Sequence, residues 1–148
     1  MNRKEFIKTC GLACVGSLAF GTFLQSCASI KMVDGIIKGE NIIVPVSEFE
    51  IVKDQKKSFL NYIIVQNNQL QFPITVYRIN ESQYSALLMR CTHQGNELTA
   101  YGDKLQCSAH GSEFDKQGNA TNGPAEDRLR KFPVSIENQQ LKISIKVE

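Results

Sequence analysis

The chain predicts an all-β fold, a sandwich of antiparallel strands carrying a small inserted subdomain, and three observations predict it. Short stretches rich in β-branched and aromatic residues recur between residues 42 and 89. The C-terminal segment alternates apolar and polar residues on either side of a polar turn. Beyond the first thirty residues, no stretch repeats apolar positions at a helical period. From about Asn41 onward the chain holds about 108 residues, one domain's worth of core.

The N-terminal segment comes first. Arg3, Lys4 and Lys8 make a basic start, no charge occurs from Thr9 to Ile30, and Gly11 to Leu24 is mostly apolar or small. A basic region followed by an apolar one predicts a secretory signal peptide over residues 1–26. It ends in Leu24-Gln25-Ser26-Cys27, which resembles a bacterial lipoprotein cleavage box with Cys27 as the lipid-modified residue. The alternative is a retained membrane anchor, because the uncharged run approaches the ~20 residues that a spanning helix needs. Gly11, Gly16, Gly21 and the placement of Cys27 favour the lipoprotein. Either reading attaches the domain to a membrane, on the exported face of a bacterial envelope. Arg3-Lys4-Glu5-Phe6-Ile7-Lys8 also resembles the twin-arginine export motif with lysine at the second arginine, and that route and the ordinary secretory route both stay open.

Residues 27–40, with Lys31, Asp34, Gly35 and Gly39, read as a lipid-anchored tether. Fully extended at ~3.3–3.6 Å per residue, it would let the domain stand roughly 40 Å from its anchor. The domain itself is expected over residues 41–148. Its strands are expected at Ile42-Ile43-Val44, Phe59 to Val65, Ile74 to Ile79 and Tyr84 to Met89. Val134 and Ile136 alternate with polar neighbours. Glu137-Asn138-Gln139-Gln140 then turns the chain into Leu141, Ile143, Ile145 and Val147, a hairpin with one buried face. The loops between about residues 89 and 128 form the inserted subdomain.

Charge excludes one class of partner. The chain has 17 basic and 15 acidic side chains, and removal of residues 1–26 leaves 14 of each. A neutral mature domain gives no electrostatic case for nucleic acid. Neither a phosphate-binding glycine loop nor an internal repeat is present.

The chemistry lies in two loops, Cys91-Thr92-His93-Gln94-Gly95 and Cys107-Ser108-Ala109-His110-Gly111-Ser112, which contain the protein's only two histidines. Together they offer two thiolates and two imidazoles, a set that suits a 2Fe–2S centre with mixed ligands. Tetrahedral zinc takes the same four donors, so the ligands alone do not choose. The cysteine count points the same way. Cys10 and Cys14 lie in the segment that cleavage discards and Cys27 would carry lipid, which leaves Cys91 and Cys107. A disulfide between these two suits an oxidising compartment, but it would leave His93 and His110 without a role.

These loops, followed by Glu113-Phe114-Asp115, Gly118 and Gly123-Pro124-Ala125, resemble the Rieske iron–sulfur family. The resemblance implies a Rieske-type β-sandwich with one 2Fe–2S cluster per chain. Cys91 and Cys107 would then hold the inner iron, and His93 and His110 the outer, solvent-facing one. It gives Ser112 a hydrogen bond to a bridging sulfide, and makes Gly123-Pro124-Ala125 the loop that covers the cluster. Two departures from the respiratory branch stand out. The pair of extra cysteines that ties its ligand loops together reads Asn96 and Ala109 here, and its tyrosine that bonds to a ligand sulfur reads Phe114. Hydrogen bonds to the sulfurs stabilise the more negative reduced state, so losing a donor lowers the potential. Gln94, where respiratory members usually carry leucine, leaves the histidine side wetter.

The function implied is one-electron transfer by a membrane-tethered carrier, between a quinol or reductase and another redox protein. Such a carrier would be a subunit of an oxidoreductase system, not a self-sufficient enzyme, and a membrane quinol–cytochrome complex is one partner. A ferredoxin-like subunit feeding an oxygenase or oxidase is the alternative, and a zinc-stabilised binding module a third. An oxygenase would need a second iron held by two further histidines and a carboxylate, and both histidines are already committed.

Overall fold

The computed structural model describes residues 30–146. The expected signal segment, Cys27, the beginning of the expected tether, and Val147 of the expected hairpin lie outside the described residues. Among the described residues no helix is long and apolar enough to cross a membrane.

Two sheets face one another. One contains β1 (Met32–Asp34), β6 (Tyr62–Gln66), β7 (Ile74–Arg78), β8 (Tyr84–Leu88) and β13 (Lys131–Phe132), hydrogen-bonded in that order. The other runs β14 (Val134–Glu137), β15 (Gln140–Ser144), β3 (Asn41–Pro45), β2 (Ile36–Lys38). Ile63, Val65, Ile74, Val76 and Ala86 of the first sheet meet Ile42, Val44, Leu141 and Ile143 of the second in one buried core. The opposite face of the first sheet is covered as well. Ile64, Tyr77 and Leu87 pack against the inserted subdomain in a second core, which also holds Cys91, Cys107 and Phe114. Burial on both faces explains the near-continuous apolar runs in β6, β7 and β8, whereas the terminal hairpin, covered on one side, alternates.

The terminal hairpin forms in the expected register, Val134 opposite Ile143 and Glu137 opposite Gln140. The expected run from Phe59 to Val65 is broken. Phe59 ends β5 (Lys56–Phe59), which pairs with β4 (Glu50–Lys53) in a separate two-stranded sheet, and β6 begins only at Tyr62. A 3₁₀ turn, Val46–Phe49, connects β3 to that hairpin.

The expected tether is shorter than its reading. Within residues 27–40, β1 pairs in parallel with β6 (Met32 opposite Ile64) and β2 pairs antiparallel with β3 (Ile37 opposite Ile42). Gly35 is the crossing between the two sheets. Its N–H donates to the Gln66 carbonyl at 2.9 Å. A Cβ there would overlap the Ile42 side chain and lie 2.7 Å from that of Val65. The glycine that suggested flexibility is a point of close packing.

The subdomain is the sheet β12 (Ala120–Asn122), β11 (Glu113–Asp115), β10 (Lys104–Gln106), β9 (Thr99–Tyr101), inserted between β8 and β13 as expected.

Candidate metal centre

The first candidate loop leaves β8 and the second leaves β10, and the two have the same backbone build. In the first, Gly95 N–H donates to the Cys91 carbonyl (2.8 Å) and Cys91 N–H to the Asn96 carbonyl (2.8 Å). In the second, Gly111 N–H donates to the Cys107 carbonyl (2.9 Å) and Cys107 N–H to the Ser112 carbonyl (2.8 Å). Each loop closes on a glycine four residues after its cysteine, with φ of +76° at Gly95 and +80° at Gly111. That left-handed conformation is open to glycine at little cost. The shared Cys-x₃-Gly spacing was a sequence signal for these twin loops, separate from the Cys/His spacing.

The loops bring the four candidate donors to one end of the molecule. Cys91 and Cys107 are buried, at 2% and 1% exposure, and neither is in a disulfide. His93 and His110 are exposed, with ring centroids 5.1 Å apart and planes at 87°. Two thiols therefore lie in the apolar floor while two imidazoles stand at the rim. Among the described residues no three Cys, His, Asp or Glu side chains gather around one point as a single ion would require. Two protein ligands per metal, completed by sulfide, is the demand of a binuclear cluster. The donor set and its layering fit that group.

A third segment, from the end of β12 onward, caps the site and is tied to both loops. Ala125 N–H donates to the Ser112 hydroxyl oxygen at 3.0 Å, Asn122 Nδ2 to the Gly111 carbonyl at 2.9 Å, and Thr92 Oγ1 to the Asp127 carbonyl at 2.9 Å. Gly123–Pro124 in this segment is a cis peptide. Ser112 is fully buried, and because its oxygen accepts from Ala125 its own proton remains free to donate. Phe114 is fully buried in the same core and offers no hydroxyl. Asn96 and Ala109 are both exposed and cannot link the loops covalently. Thr92 and Asn122, which sequence reasoning missed, supply the cross-ties; a hydroxyl and an amide bonding to backbone leave no spacing to recognise.

Below the loops, Asp115 fixes the turn between β11 and β12. Its Oδ1 accepts from the N–H groups of Gln117 (2.9 Å) and Asn119 (2.8 Å), and its Oδ2 from Asn119 Nδ2 (2.7 Å). Partial burial pushes its pKa up, but the side-chain and backbone hydrogen bonds from Asn119, with those from Gln117 and Gly118, outweigh it and hold the carboxyl below its ordinary value. Tyr77, on β7 beneath the subdomain, is shifted the other way. Burial first, then Tyr62, Asp103 and Asp115, keep its phenol protonated well beyond the usual range.

Beside His93 a groove of about 460 Å³ runs past Gln94 and Asp127, with Arg90 and Arg130 along it. Arg90 stacks over Phe72 and Arg130 over Phe132. Neither guanidinium is in an ion pair among the described residues.

An all-β domain that layers two buried cysteines beneath two exposed histidines defines a protein of the mixed-ligand iron–sulfur class. Residues 43–133 match the family described as Rieske [2Fe-2S] domain, well over half of the chain. The chain belongs to that family, its cofactor is the 2Fe–2S cluster, and it is an iron–sulfur electron carrier. No curated protein matches it. Among solved structures it is similar to the cyanobacterial plasma membrane Rieske protein PetC3 from Synechocystis PCC 6803. Identity is 26%, the match covers 57% of this chain and 86% of that one, and the TM-score is 0.50. It is also similar to the Sphingomonas yanoikuyae B1 ferredoxin, at 25% identity, 57% and 84% coverage and TM-score 0.45. A chain of the complex of reduced oxygenase and oxidized ferredoxin in carbazole 1,9a-dioxygenase matches at 26% identity, 60% and 85% coverage and TM-score 0.46.

Proposed function

We propose that this protein is a membrane-tethered one-electron carrier on the exported face of a bacterial envelope, passing electrons between a quinol or reductase and another redox protein. The observation that carries the reading is the layering of the site, with Cys91 and Cys107 buried and His93 and His110 exposed 5.1 Å apart. Cys91 and Cys107 would hold the inner iron, and His93 and His110 the outer one. When bound, the cluster supplies a one-electron couple. The rest is done by the chain. The apolar floor excludes water from the thiolates, and the hydrogen bonds that close the twin loops position the donors. The exposed imidazoles give a partner its shortest approach. The export signal and Cys27 support attachment to the membrane, and the similar Rieske protein from Synechocystis is itself a plasma membrane protein.

The test is the metal. Purified protein should carry two irons and two sulfides, and when reduced should give the rhombic low-g spin-resonance signal of mixed Cys/His ligation. His93→Ala or Cys107→Ala should abolish it. Stoichiometric zinc in protein isolated anaerobically from an iron-replete host would refute the reading. A second reading, a ferredoxin-like subunit feeding an oxygenase or oxidase, is favoured by two observations: the buried Phe114 and the absent loop disulfide point to a lower potential. An adjacent oxygenase gene would support it, and an adjacent cytochrome b-like gene the first.

A further inference from the structure

We propose that the β4–β5 hairpin is a membrane-contact surface that seats the domain on an anionic bilayer with its histidine rim turned away. The proposal rests on the N-terminal anchoring of the proposed function, whether through lipid at Cys27 or a retained span.

Strand order fixes the polarity. The chain arrives beside the start of β6, where Ile64 N–H donates to the Lys31 carbonyl. That end of the sheet also holds the end of β7 and the start of β8, since Arg78 pairs with Tyr84 and Arg78 N–H bonds to the Asn61 carbonyl. Cys91 lies past the other end of β8. From the level of Ser85 to Cys91 is six residues, roughly 20 Å at ~3.3 Å per residue. The site and the point of attachment are therefore at opposite ends of the sheet.

The leash is short. With Met32 already in β1, three residues separate Cys27 from Lys31, four steps and at most about 14 Å of extended chain. Such a leash does not let the domain turn over, so its arrival end must sit near the lipid.

The hairpin stands at that end. Phe59, at its base, lies under the Arg78 guanidinium at 4.3 Å, and Lys31 pairs with Glu48 of the preceding turn at 2.9 Å. Its two strands hydrogen-bond to no third strand, and an isolated two-stranded hairpin is marginal in water. It nevertheless exposes Ile51 (38%), Val52 (71%) and Phe59 (41%). Lys53 stands directly opposite Lys56, neither with a carboxylate partner among the described residues, and like charges so placed repel. Lys57 pairs with Glu50; Asp54 sits in the hairpin turn and Glu81 follows β7, while Glu48 and Glu137 nearby are taken up by Lys31 and Lys142. Apolar side chains between unpaired lysines suit the headgroup boundary of an anionic bilayer, where each lysine adds about fivefold to partitioning. Contact there removes the exposed apolar surface and the repulsion together.

The chain has no tryptophan, so one can be placed as a reporter. The full chain, as Val52→Trp or as Asn68→Trp, is reconstituted in vesicles containing anionic and brominated lipid. Asn68 is exposed in the β6–β7 loop at the site end. The tryptophan of the Val52→Trp chain should be quenched at least twofold more strongly, relative to plain lipid, than that of the Asn68→Trp chain. Adding Lys53→Glu and Lys56→Glu should remove the difference. Equal quenching in a chain that sediments with the vesicles, or quenching indifferent to the lysine changes, overturns the orientation and leaves the anchoring intact. A blue-shifted emission without quenching shows a protein covering the hairpin and overturns it as well. A chain that does not sediment overturns the anchoring, and the orientation with it.

Discussion

Replacing Ser112 by alanine should lower the reduction potential of the loaded protein and loosen the segment that caps its site. The hydroxyl is fully buried and its oxygen already accepts the Ala125 N–H at 3.0 Å, which leaves its proton to donate; the expected acceptor is a cluster sulfide. A hydrogen bond to a charged group is worth about 1.5–3 kcal/mol. For a one-electron couple 59 mV corresponds to about 1.4 kcal/mol, which makes about 60–130 mV the upper bound; only the difference in bond strength between the two redox states shifts the potential, so tens of millivolts are expected. The sign is negative, because donors stabilise the more negative reduced state. Ser112→Ala also strands the N–H of the buried Ala125, a cost of about 1–3 kcal/mol in stability. A redox titration followed by visible absorption reads the first effect and thermal unfolding the second. A variant with full iron content, a lower melting temperature and an unchanged potential would refute the assignment, since the hydroxyl would then serve Ala125 alone.

Phe114→Tyr should act in the opposite sense. It should raise the potential by tens of millivolts from a wild-type value in the low-to-middle part of the roughly −150 to +300 mV Rieske range; no shift in a variant with an intact cluster would show that residue 114 does not face a ligand sulfur. Gly35→Ala forces a methyl between Ile42 and Val65, an overpacking cost of about 1–3 kcal/mol, and should lower the melting temperature by several degrees; unchanged melting would mean β1 and β2 are not held as described. Asp115, whose folded pKa lies below its unfolded value of 3.8, contributes stability that is present above that value and lost as pH falls through the folded one. Asp115→Asn should therefore flatten the stability profile below about pH 4, and an unaltered acid limb in urea melts would refute this. Arg90→Glu with Arg130→Glu should slow reduction by an anionic reagent and weaken its dependence on salt, while a neutral reagent is unaffected; equal salt slopes would show that the groove does not steer.

The strands of the main sheets were legible because each satisfies the burial that its composition advertises. Ile42-Ile43-Val44, β7 and β8 are apolar since both sides of their sheet, or its partner, are covered. The β4–β5 hairpin was not legible: Lys53, Lys56 and Lys57 face solvent, so neither period nor composition marks it. The strands β1 and β2 failed for another reason. They are three residues long, and Gly35 between them reads as freedom when its missing Cβ is what lets Ile42 and Val65 close over it. At the site, Cys91, His93, Cys107 and His110 stood out by residue type and spacing. Thr92 and Asn122 did not, because their partners are backbone carbonyls far along the chain.

Cofactor and fold are divided between the two cores. The sandwich core contains no candidate ligand, and its packing is closed by aliphatic side chains from both sheets. The second core includes Cys91 and Cys107 themselves, beside Leu98, Leu105 and Phe114. Binding energy in a metal site is also folding energy for the elements that build it. The sandwich presents its outer sheet face, Ile64, Tyr77 and Leu87, as the platform on which the subdomain packs. The subdomain is held by its own four-stranded sheet, by the second core it shares with β6, β7 and β8, and by three hydrogen bonds that tie its loops to residues 122–127. With no covalent staple between Asn96 and Ala109, those non-covalent ties are what keep His93 and His110 in place from one electron to the next.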